Sequence, residues 1–578
     1  MFNDGQCARL TIKESDWSAF RQHLHQKDGM ERAAFMLLGS LEEEETLQFY
    51  VHQLRLVPDQ NCVQQHATIV EPDSWTVLDN FQAFQKSDTI AFLHAHSHPF
   101  TNCAVFSSVD DAYLPEQIVG LGHYLKVKKA ERPFRFLRIV TGKNEAGYTG
   151  EVYDADGNFL AKIDEIRVIG KTGIQHLKCF RESAVFPPGI KGSQRYSQIW
   201  RMDERAEKQD RLSTEERKRL DRNINWLGEA GQANITETHI ALCGLGGLGI
   251  EVLKNCRGLG FKRFTLIDMD RLETSNLNRF LCSAEEVGDY KVDIAERFIK
   301  AVVPDAEVTV FREPVDAEGP QCALRSVDII VNALDDDIAR HSVQVVAARH
   351  LIPMLDLGSG IRLKAPSRKV ESMGGQAIFY VPDGPCLLCQ GLNLSHSVPR
   401  EIRLLHRQIG YVEGTDETPA SVVTINSMMG GIAADLLMKY LSGFSVASRY
   451  VSYDMLRHEL RVLNCKKRKQ CPVCGPEGCE GRGENFVEPL KCPVSVEDYF
   501  ASKSSDEEKS KEDVSSCIKG ANTAEVINEQ KKSEISAETR ISAPVSDQLV
   551  LAACTQRGER GEDLLSAQGK EDVFVGEP

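Results

Sequence analysis

Between residues 1 and about 165, short apolar runs (AAFMLLG, TIAFLHA and FRFLRIVTG) are separated by stretches of helical spacing such as PDSWTVLDNFQAF. Short apolar runs between polar segments predict strands, and their mixture with helix-period segments predicts an α+β unit. From 200 to 222, WRMDERAEKQDRLSTEERKRLDR carries both charge signs and good helix formers, which predicts an exposed linker helix leading into a second unit. Beyond residue 235 the order becomes strand, helix, strand in THIALCGLGGLG, IEVLKNCRGLG and RFTLIDMD, followed by the runs EVTVF, DIIVNALD and IPMLDLGSG. Apolar strands alternating with helices predict a mostly parallel sheet covered on both faces. Near 485 the chain turns polar, with SKSSDEEKSKEDVSS and NEQKKSEISAE, and carries too little apolar surface to order itself. The predicted fold class is α/β: a central, doubly wound, mostly parallel sheet over 216–480, preceded by an α+β unit over 1–165 and a linker over 166–215. A disordered tail over 481–578 completes it.

Composition narrows the classes. At 578 residues the chain exceeds one hydrophobic core, and its 42% apolar and 26% charged residues suit a globular protein. A net charge of −15 argues against a protein built to coat nucleic acid or an anionic membrane. The start MFNDGQCARL lacks a charged segment followed by an apolar core, and no apolar run approaches the ~18 residues of a membrane helix. The expected location is the cytoplasm. The 17 cysteines are dispersed, and several stand in C-x-x-C spacing, as reduced metal-binding thiols do.

The run GLGGLG sets Gly244, Gly246, Gly247 and Gly249 between a predicted strand and helix, where absent side chains let backbone N–H groups approach phosphate. Asp268 follows Gly249 by nineteen residues, at the end of the next strand, where a carboxylate would meet a ribose hydroxyl. That much also fits an NAD-dependent oxidoreductase. The continuation IDMDRLETSNLNRF adds Asp270, Asn276 and Arg279, and Lys291 follows in VGDYKVDIAE, a polar density better suited to a triphosphate. VNALDDDIAR ends another apolar strand in three carboxylates, a plausible Mg²⁺ position.

With G-x-G-G-x-G, D-x-D, N-L-x-R, K and D in order, residues 222 to about 475 resemble the adenylating domain of the ThiF/MoeB and ubiquitin-activating enzyme family. The resemblance implies ATP-dependent activation of the C-terminal carboxylate of a ubiquitin-like or sulfur-carrier protein ending in glycine. It implies that Asp268 binds the ribose, that Asn276, Arg279 and Lys291 bind the phosphates, and that Asp335, five residues before Arg340, meets Mg²⁺-ATP. LDRNINWLGEAGQ resembles the segment that opens this domain, so Arg222 would reach the phosphates of the partner protomer in a homodimer.

GPCLLC and QCPVC offer Cys386, Cys389, Cys471 and Cys474, two knuckles that can close a tetrahedral structural zinc site, and the resemblance places a zinc here. Cys465 and Cys479 lie close enough in sequence to compete as ligands. Relatives that form a thioester carry a nucleophilic cysteine after the first knuckle, whereas here none occurs between Cys389 and Cys465. Adenylation is therefore better supported than thioester transfer. The tail thiols Cys492, Cys517 and Cys554 are weaker substitutes.

In an extended LHAHSHP, His96 and His98 share one face, and Asp110, twelve residues on, can complete a three-ligand catalytic zinc site with water in the fourth position. Ser107 and Asp110 have the spacing of one helical turn, but so do Ser108 and Asp111, and both pairs also read as a helix cap. HSHPFTNCAVFSSVD resembles the H-x-H-P and S-x-x-D signature of the JAB (JAMM) metalloproteases, with a gap one residue longer than in many members. The resemblance implies a general-base glutamate on an earlier strand, offered by Glu31 in GMERAAFMLLG, and a role for Ser107 in holding the oxyanion. His94 falls outside the signature and reads as structural.

The reading that joins both halves is a bifunctional enzyme that adenylates a ubiquitin-like or sulfur-carrier terminus and cleaves peptide or isopeptide bonds at such a terminus. Two competitors remain. A non-catalytic scaffold binding such a protein gains from the missing cysteine, and the NAD-dependent oxidoreductase leaves Arg279, Lys291, Asp335 and Arg222 unexplained.

Overall fold

A computed structural model describes residues 7–43, 46–66, 69–87, 89–99, 104, 106–126, 134–142, 147–171, 173–181, 198–201, 211–364, 367, 369–392, 421–443 and 450–484. The chain divides into a compact unit over 1–496 and a second over 497–578. The tail expected to be disordered lies, apart from 481–484, outside the described residues.

The first sheet begins with β1 (Cys7–Lys13), helix α1 (Glu14–Leu24), β2 (Ala33–Glu42) and β3 (Thr46–Leu56). A small hairpin follows, β4 (Cys62–Gln65) with β5 (Val70–Pro72), then α2 (Ser74–Lys86), β6 (Ala91–His98), α3 (Ser108–Lys126), β7 (Arg135–Gly142) and β8 (Tyr148–Tyr153). β9 (Phe159–Gly170), β10 (Gly173–Arg181) and β11 (Gln198–Arg201) complete it. The strand order is β1-β3-β2-β6-β7-β8-β9-β10-β11, and β1 also pairs with β9, which closes the first seven into a ring. Alternating residues of β2 serve two cores, as the two-residue period of a strand requires. Ala34, Met36 and Leu38 pack with Trp17 and Phe20 of α1, whereas Ala33, Phe35 and Leu37 pack with Phe84 of α2 and Ile118 of α3. Asp73 caps α2, its carboxylate accepting from the Thr76 N–H at 2.6 Å.

Two expectations are corrected. The first sheet does not stop at residue 165, because β9 runs to Gly170 and β10 follows, so the segment expected as a linker opens with strands. The apolar residues of β9, Ile163, Ile166 and Val168, supply the reason, since all three are buried in the first core. The charged segment from 200 to 222 is likewise no single helix. Residues 200 and 201 end β11, and from 211 the described chain forms α4 (Thr214–Arg219), capped reciprocally by Ser213 and Glu216, then α5 (Asp221–Glu237), which is broken at Gly228 with φ +72°.

The second sheet contains β12 (His239–Cys243), β13 (Arg263–Ile267), β14 (Glu307–Phe311), β15 (Ile329–Asn332), β16 (Met354–Lys364), β17 (Lys369–Tyr380), β18 (Tyr450–Asp454) and β19 (Glu459–Leu463). Its order is β14-β13-β12-β15-β16-β17-β18-β19. The first five strands are parallel and the last three antiparallel, so the mostly parallel expectation holds only for the half that carries the glycine loop. α6 (Gly247–Leu259), α7 (Lys291–Lys300) and α10 (Val423–Leu441) bury apolar residues in one core, and α8 (Glu318–Leu324) and α9 (Asp337–Arg349) in a second one. That is the doubly wound arrangement the pattern predicted.

The two sheets are joined within the one compact unit. Residues 480–484 pass between them: Gly481 N–H donates to the Ala348 carbonyl at 3.0 Å, Gly483 N–H to that of Arg349 at 3.0 Å, and Glu484 N–H to that of Ser40 at 3.0 Å. Gly39 lies so close to this clasp that a Cβ there would meet the Arg482 carbonyl carbon at 2.1 Å. Arg167 of β9 adds an ion pair to Asp328 at 2.9 Å.

Candidate functional site

β12, β13 and β15 are adjacent and parallel, so the loops at their carboxyl ends meet at the point where the strand order reverses, a common ligand position in open α/β sheets. The β12–α6 loop is GLGGLG. Gly244 takes φ +87°, and a Cβ there would meet the Ala333 carbonyl oxygen at 2.8 Å. A Cβ on Gly249 would stand 2.0 Å from the Gly244 carbonyl oxygen, so these positions exclude any side chain. Gly246 caps α6 and faces open space, leaving the helix N-terminus approachable. The loop therefore fits a phosphate-bearing nucleotide, since a side chain would fill the space its turn requires.

The predicted partners gather around it. Asp268 follows β13; its carboxylate accepts from the Leu245 N–H at 2.6 Å and the Asp270 N–H at 2.8 Å, which ties it to the glycine loop. Burial pushes its pKa up, and the Lys291 charge pulls it back. Lys291 opens α7, is 8% exposed and pairs with Asp270 at 2.9 Å. Arg279 lies against Gly247, whose Cβ would be 2.9 Å from the arginine Cδ, and its Nη1 donates to the Ser275 carbonyl at 2.8 Å. Asn276 sits in the same short loop, its side-chain oxygen accepting from the Glu273 N–H at 3.2 Å. Of the three consecutive carboxylates, Asp336 caps α9 through the Ala339 N–H and Asp337 pairs with Arg340 at 3.0 Å. Asp335 is the exposed one, two residues beyond the Ala333 that abuts Gly244. Arg222 differs from the rest: its side chain is 92% exposed, with its own neighbour Asp221 at 3.7 Å.

Sequence reasoning missed Asn426 of α10. It is 1% exposed, accepts from the Ser359 hydroxyl at 3.0 Å, and holds its amide nitrogen 2.6 Å from where a Gly247 Cβ would stand. No motif signals it, because it arrives from a helix far along the chain.

The predicted cysteines converge. Cys386, Cys389, Cys471 and Cys474 bring four sulfurs within 4.8 Å of one another, and Cys465 and Cys479 are not in the set. The Cys386–Cys471 and Cys389–Cys474 separations of 3.4 and 3.5 Å exceed a disulfide bond and suit the edges of a thiolate tetrahedron. The donor set fits zinc.

A second cluster lies in the first sheet. His96 and His98 end β6 with their Nε2 atoms 3.1 Å apart. Asp110 of α3 reaches both, 3.0 Å from His96 Nε2 and 3.6 Å from His98 Nε2. Burial raises the Asp110 pKa, but hydrogen bonds from the two imidazoles more than offset it and hold the carboxyl well below the usual range. At the start of α3 the Ser107 N–H donates to Asp110 Oδ2 at 2.5 Å, while the Asp110 N–H donates to Ser107 Oγ at 3.2 Å. The carboxylate that caps the helix is thus the one that faces both imidazoles. Asp111 turns instead to Arg138 at 2.9 Å.

Glu31 is brought in by strand register. Ala33 of β2 stands opposite His96, so two residues earlier Glu31 falls opposite His98, with Oε1 3.9 Å from its Nε2. Glu31 is 3% exposed, Oε1 is buried with no hydrogen-bond partner, and burial, aided by the Asp110 charge, pushes its pKa to about 8. Three nitrogen and oxygen donors beside an unsatisfied carboxylate oxygen fit a metal with an open position. Arg32 fixes this corner, its guanidinium held by Asp28 at 2.5 Å and Asp59 at 3.0 Å. The His94 ring stacks on Phe35 at 5.1 Å and its centre lies 5.9 Å from that of His96.

Comparison with known proteins decides one half. The chain matches the ThiF family over residues 220–473. Those residues form a ThiF family domain. It is similar to a sulfur carrier protein adenylyltransferase of Thermus thermophilus, 28% identical over 260 residues, which covers 43% of this chain and 87% of that protein. A SAMP-activating enzyme E1 of Haloferax volcanii is 26% identical over 275 residues, 47% of this chain and 92% of that one. The molybdopterin-synthase adenylyltransferase of Escherichia coli is 24% identical over 270 residues, 46% of this chain and 98% of that one. The glycine loop, Asp268, Arg279, Lys291 and Asp335 all lie inside the ThiF domain, and so do both ends of the cysteine cluster except Cys474, one residue past its boundary. Among the described residues no helix is long and apolar enough to cross a membrane.

Proposed function

We propose that the ThiF domain adenylates the C-terminal carboxylate of a ubiquitin-like or sulfur-carrier protein, using ATP and Mg²⁺. The supporting observation is the frame around the glycine loop: backbone donors at the α6 N-terminus, Asp268 tied to the loop, and Arg279 and Lys291 beside it. In this reading a carrier carboxylate oxygen bonds to the α-phosphorus while the bond to the β-phosphate oxygen breaks, giving an acyl-adenylate and pyrophosphate. Asp268 would take the ribose hydroxyls and Asp335 the Mg²⁺. Arg279 and Lys291 would oppose the charge that grows on the leaving group, as cations aimed at a transferring phosphoryl group do, and the neutral Asn276 amide would donate a hydrogen bond to a phosphate oxygen. The exposed Arg222 suits delivery to a second protomer, so the working form is a homodimer. With no cysteine between Cys389 and Cys465, the adenylate passes to an outside nucleophile. The names of the relatives favour this reading over an oxidoreductase, since all three are adenylyltransferases or activating enzymes.

A second activity is favoured by the His96, His98, Asp110 and Glu31 cluster: zinc-dependent cleavage of a peptide or isopeptide bond at the end of such a carrier, as in JAB metalloproteases. His96, His98 and Asp110 would hold the zinc, which would supply Lewis acidity that makes water a nucleophile near neutral pH. The ion's charge would also draw the raised Glu31 pKa down, so that its carboxylate would accept a proton from the attacking water and return it to the leaving amine, while the Ser107 hydroxyl would donate to the oxygen of the attacked carbonyl.

One pair of variants tests both. ATP–pyrophosphate exchange driven by small carrier proteins ending in Gly-Gly should occur in the wild type and fall at least about 100-fold in Asp335→Ala. Glu31→Gln should slow cleavage of a C-terminally extended carrier by about 10²–10⁴-fold and leave exchange untouched. No exchange with any carrier favours a binding scaffold, and loss of both activities in either variant overturns the assignment of two separate centres.

A further inference from the structure

Beside the histidines runs a strand with an arginine that no motif accounts for. Arg138 of β7 stands in register with His94 of β6 on one side and Glu151 of β8 on the other, and is 4% exposed. Its Nε and Nη2 donate to Glu151 Oε2 at 2.9 and 2.6 Å. Nη2 also donates to the Tyr153 hydroxyl oxygen at 3.0 Å and to Asp111 Oδ1 at 2.9 Å, and Nη1 donates to the Asp110 carbonyl at 3.4 Å. The Phe106 ring lies 3.8 Å from the guanidinium carbon, covering its face.

We propose that Arg138 is a positioning residue for the metal-capable triad: it grips the first turn of α3 at the Asp110 carbonyl and the Asp111 carboxylate, and so holds the Asp110 side chain against His96 and His98. The proposal rests on the metalloprotease reading above. Fold stability alone does not call for such a cluster, because replacing a whole buried ion pair by apolar groups of similar volume is often neutral. What the guanidinium supplies is a rigid planar fork that fixes direction. Successive helical residues point about 100° apart, so sending Asp111 to Arg138 and Asp110 to the histidines are two consequences of one rotation of α3. A helix start misplaced for one is misplaced for the other. The grip is itself fixed, since Glu151 is 8% exposed and accepts a 2.5 Å hydrogen bond from the Tyr153 hydroxyl. Phe106 links the two groups from the other side, with its ring 6.3 Å from that of His96.

The test uses the full chain loaded with zinc, which should hold one ion at the cysteines and one at the triad. Arg138→Met keeps side-chain length over Phe106 and removes the fork. Competition against a coloured chelator should show zinc affinity at the triad falling about 10–100-fold, the range for groups that orient metal ligands. Zinc at the cysteines and ATP–pyrophosphate exchange should stay as in the wild type. Arg138→Lys, which keeps charge without the fork, should recover only part of the affinity, and Asp111→Asn should lower it in the same direction. Wild-type affinity in Arg138→Met overturns the proposal. Should that variant lose its fold, Asp111→Asn decides, and unchanged affinity there overturns it equally. A wild-type chain binding zinc at the cysteines alone would instead overturn the metalloprotease reading, and this proposal with it.

Discussion

The two metal-capable clusters differ in the way that matters for chemistry. The cysteine set draws its four sulfurs from two knuckles whose facing members, Cys386 and Cys471, are 85 residues apart. It is complete, and an amide supports it, the Arg468 N–H donating to Cys389 Sγ at 3.3 Å. The histidine set draws three donors from a strand end and the helix start that follows, and an unsatisfied carboxylate oxygen of Glu31 stands beside it. A filled tetrahedron holds chain together, whereas a set of three leaves room for a reactant. The first converts sequence distance into stability, and the second converts sequence proximity into geometry.

Breaking one ligand in each cluster should therefore break different things. Cys471→Ser has the largest expected effect: one zinc per chain should be lost, and with it several kcal/mol of stability, since structural zinc binding contributes on the order of 10 kcal/mol to folding. The damage should reach the first sheet, because the clasp at 480–484 begins just beyond Cys474 and Cys479, and Glu480 there accepts from Tyr380 at 2.9 Å. Hydrogen exchange should show Ser40 and its neighbours losing protection. His96→Ala should also lose one zinc and all cleavage, yet unfold within about 1–2 kcal/mol of the wild type, because its loss vacates an open site rather than a tie. Equal destabilisation by the two variants, read from urea unfolding, would erase the distinction.

Legibility followed the same division. The glycine loop could be read because its spacing is a demand of the backbone itself, with Gly244 at φ +87° and Gly249 against a carbonyl. The histidines and Asp110 could be read because one strand and one helical turn set their directions. What tertiary structure alone assembles could not: Asn426 reaches Gly247 from α10, Arg138 and Arg32 act through partners on other elements, and the clasp joins glycines that look like a loop. The antiparallel half of the second sheet was missed for another reason. β17 reads KVESMGGQAIFY, and its exposed start leaves AIFY as the one apolar run, too short by itself to tell a strand from a piece of helix.

A pH series separates the clasp from the metal-capable cysteines beside it. His350 ends α9 at the joint, its ring edge-on to Tyr50 of β3 at 5.1 Å, with Nδ1 2.9 Å from the Val346 carbonyl and Nε2 buried without a partner. Burial, reinforced by the Arg349 and Arg325 charges, lowers its pKa to about 3. The folded pKa lies below that of the unfolded chain, near 6.5, so between these values the unfolded state binds more protons and stability rises with pH. The contribution is complete above about pH 6.5 and is lost as pH falls toward 3. Going from pH 7 to pH 5, this one group should cost about 2 kcal/mol. His52, lowered to about 4 chiefly by burial beside the Glu480 carbonyl, adds a similar slope. His350→Phe keeps a ring against Tyr50 and removes the titration, so its urea midpoint should fall less than that of the wild type over that interval, while zinc content at the cysteines stays constant. If the two chains lose stability in parallel, the acid sensitivity belongs to the thiolate cluster and the clasp is only its passenger.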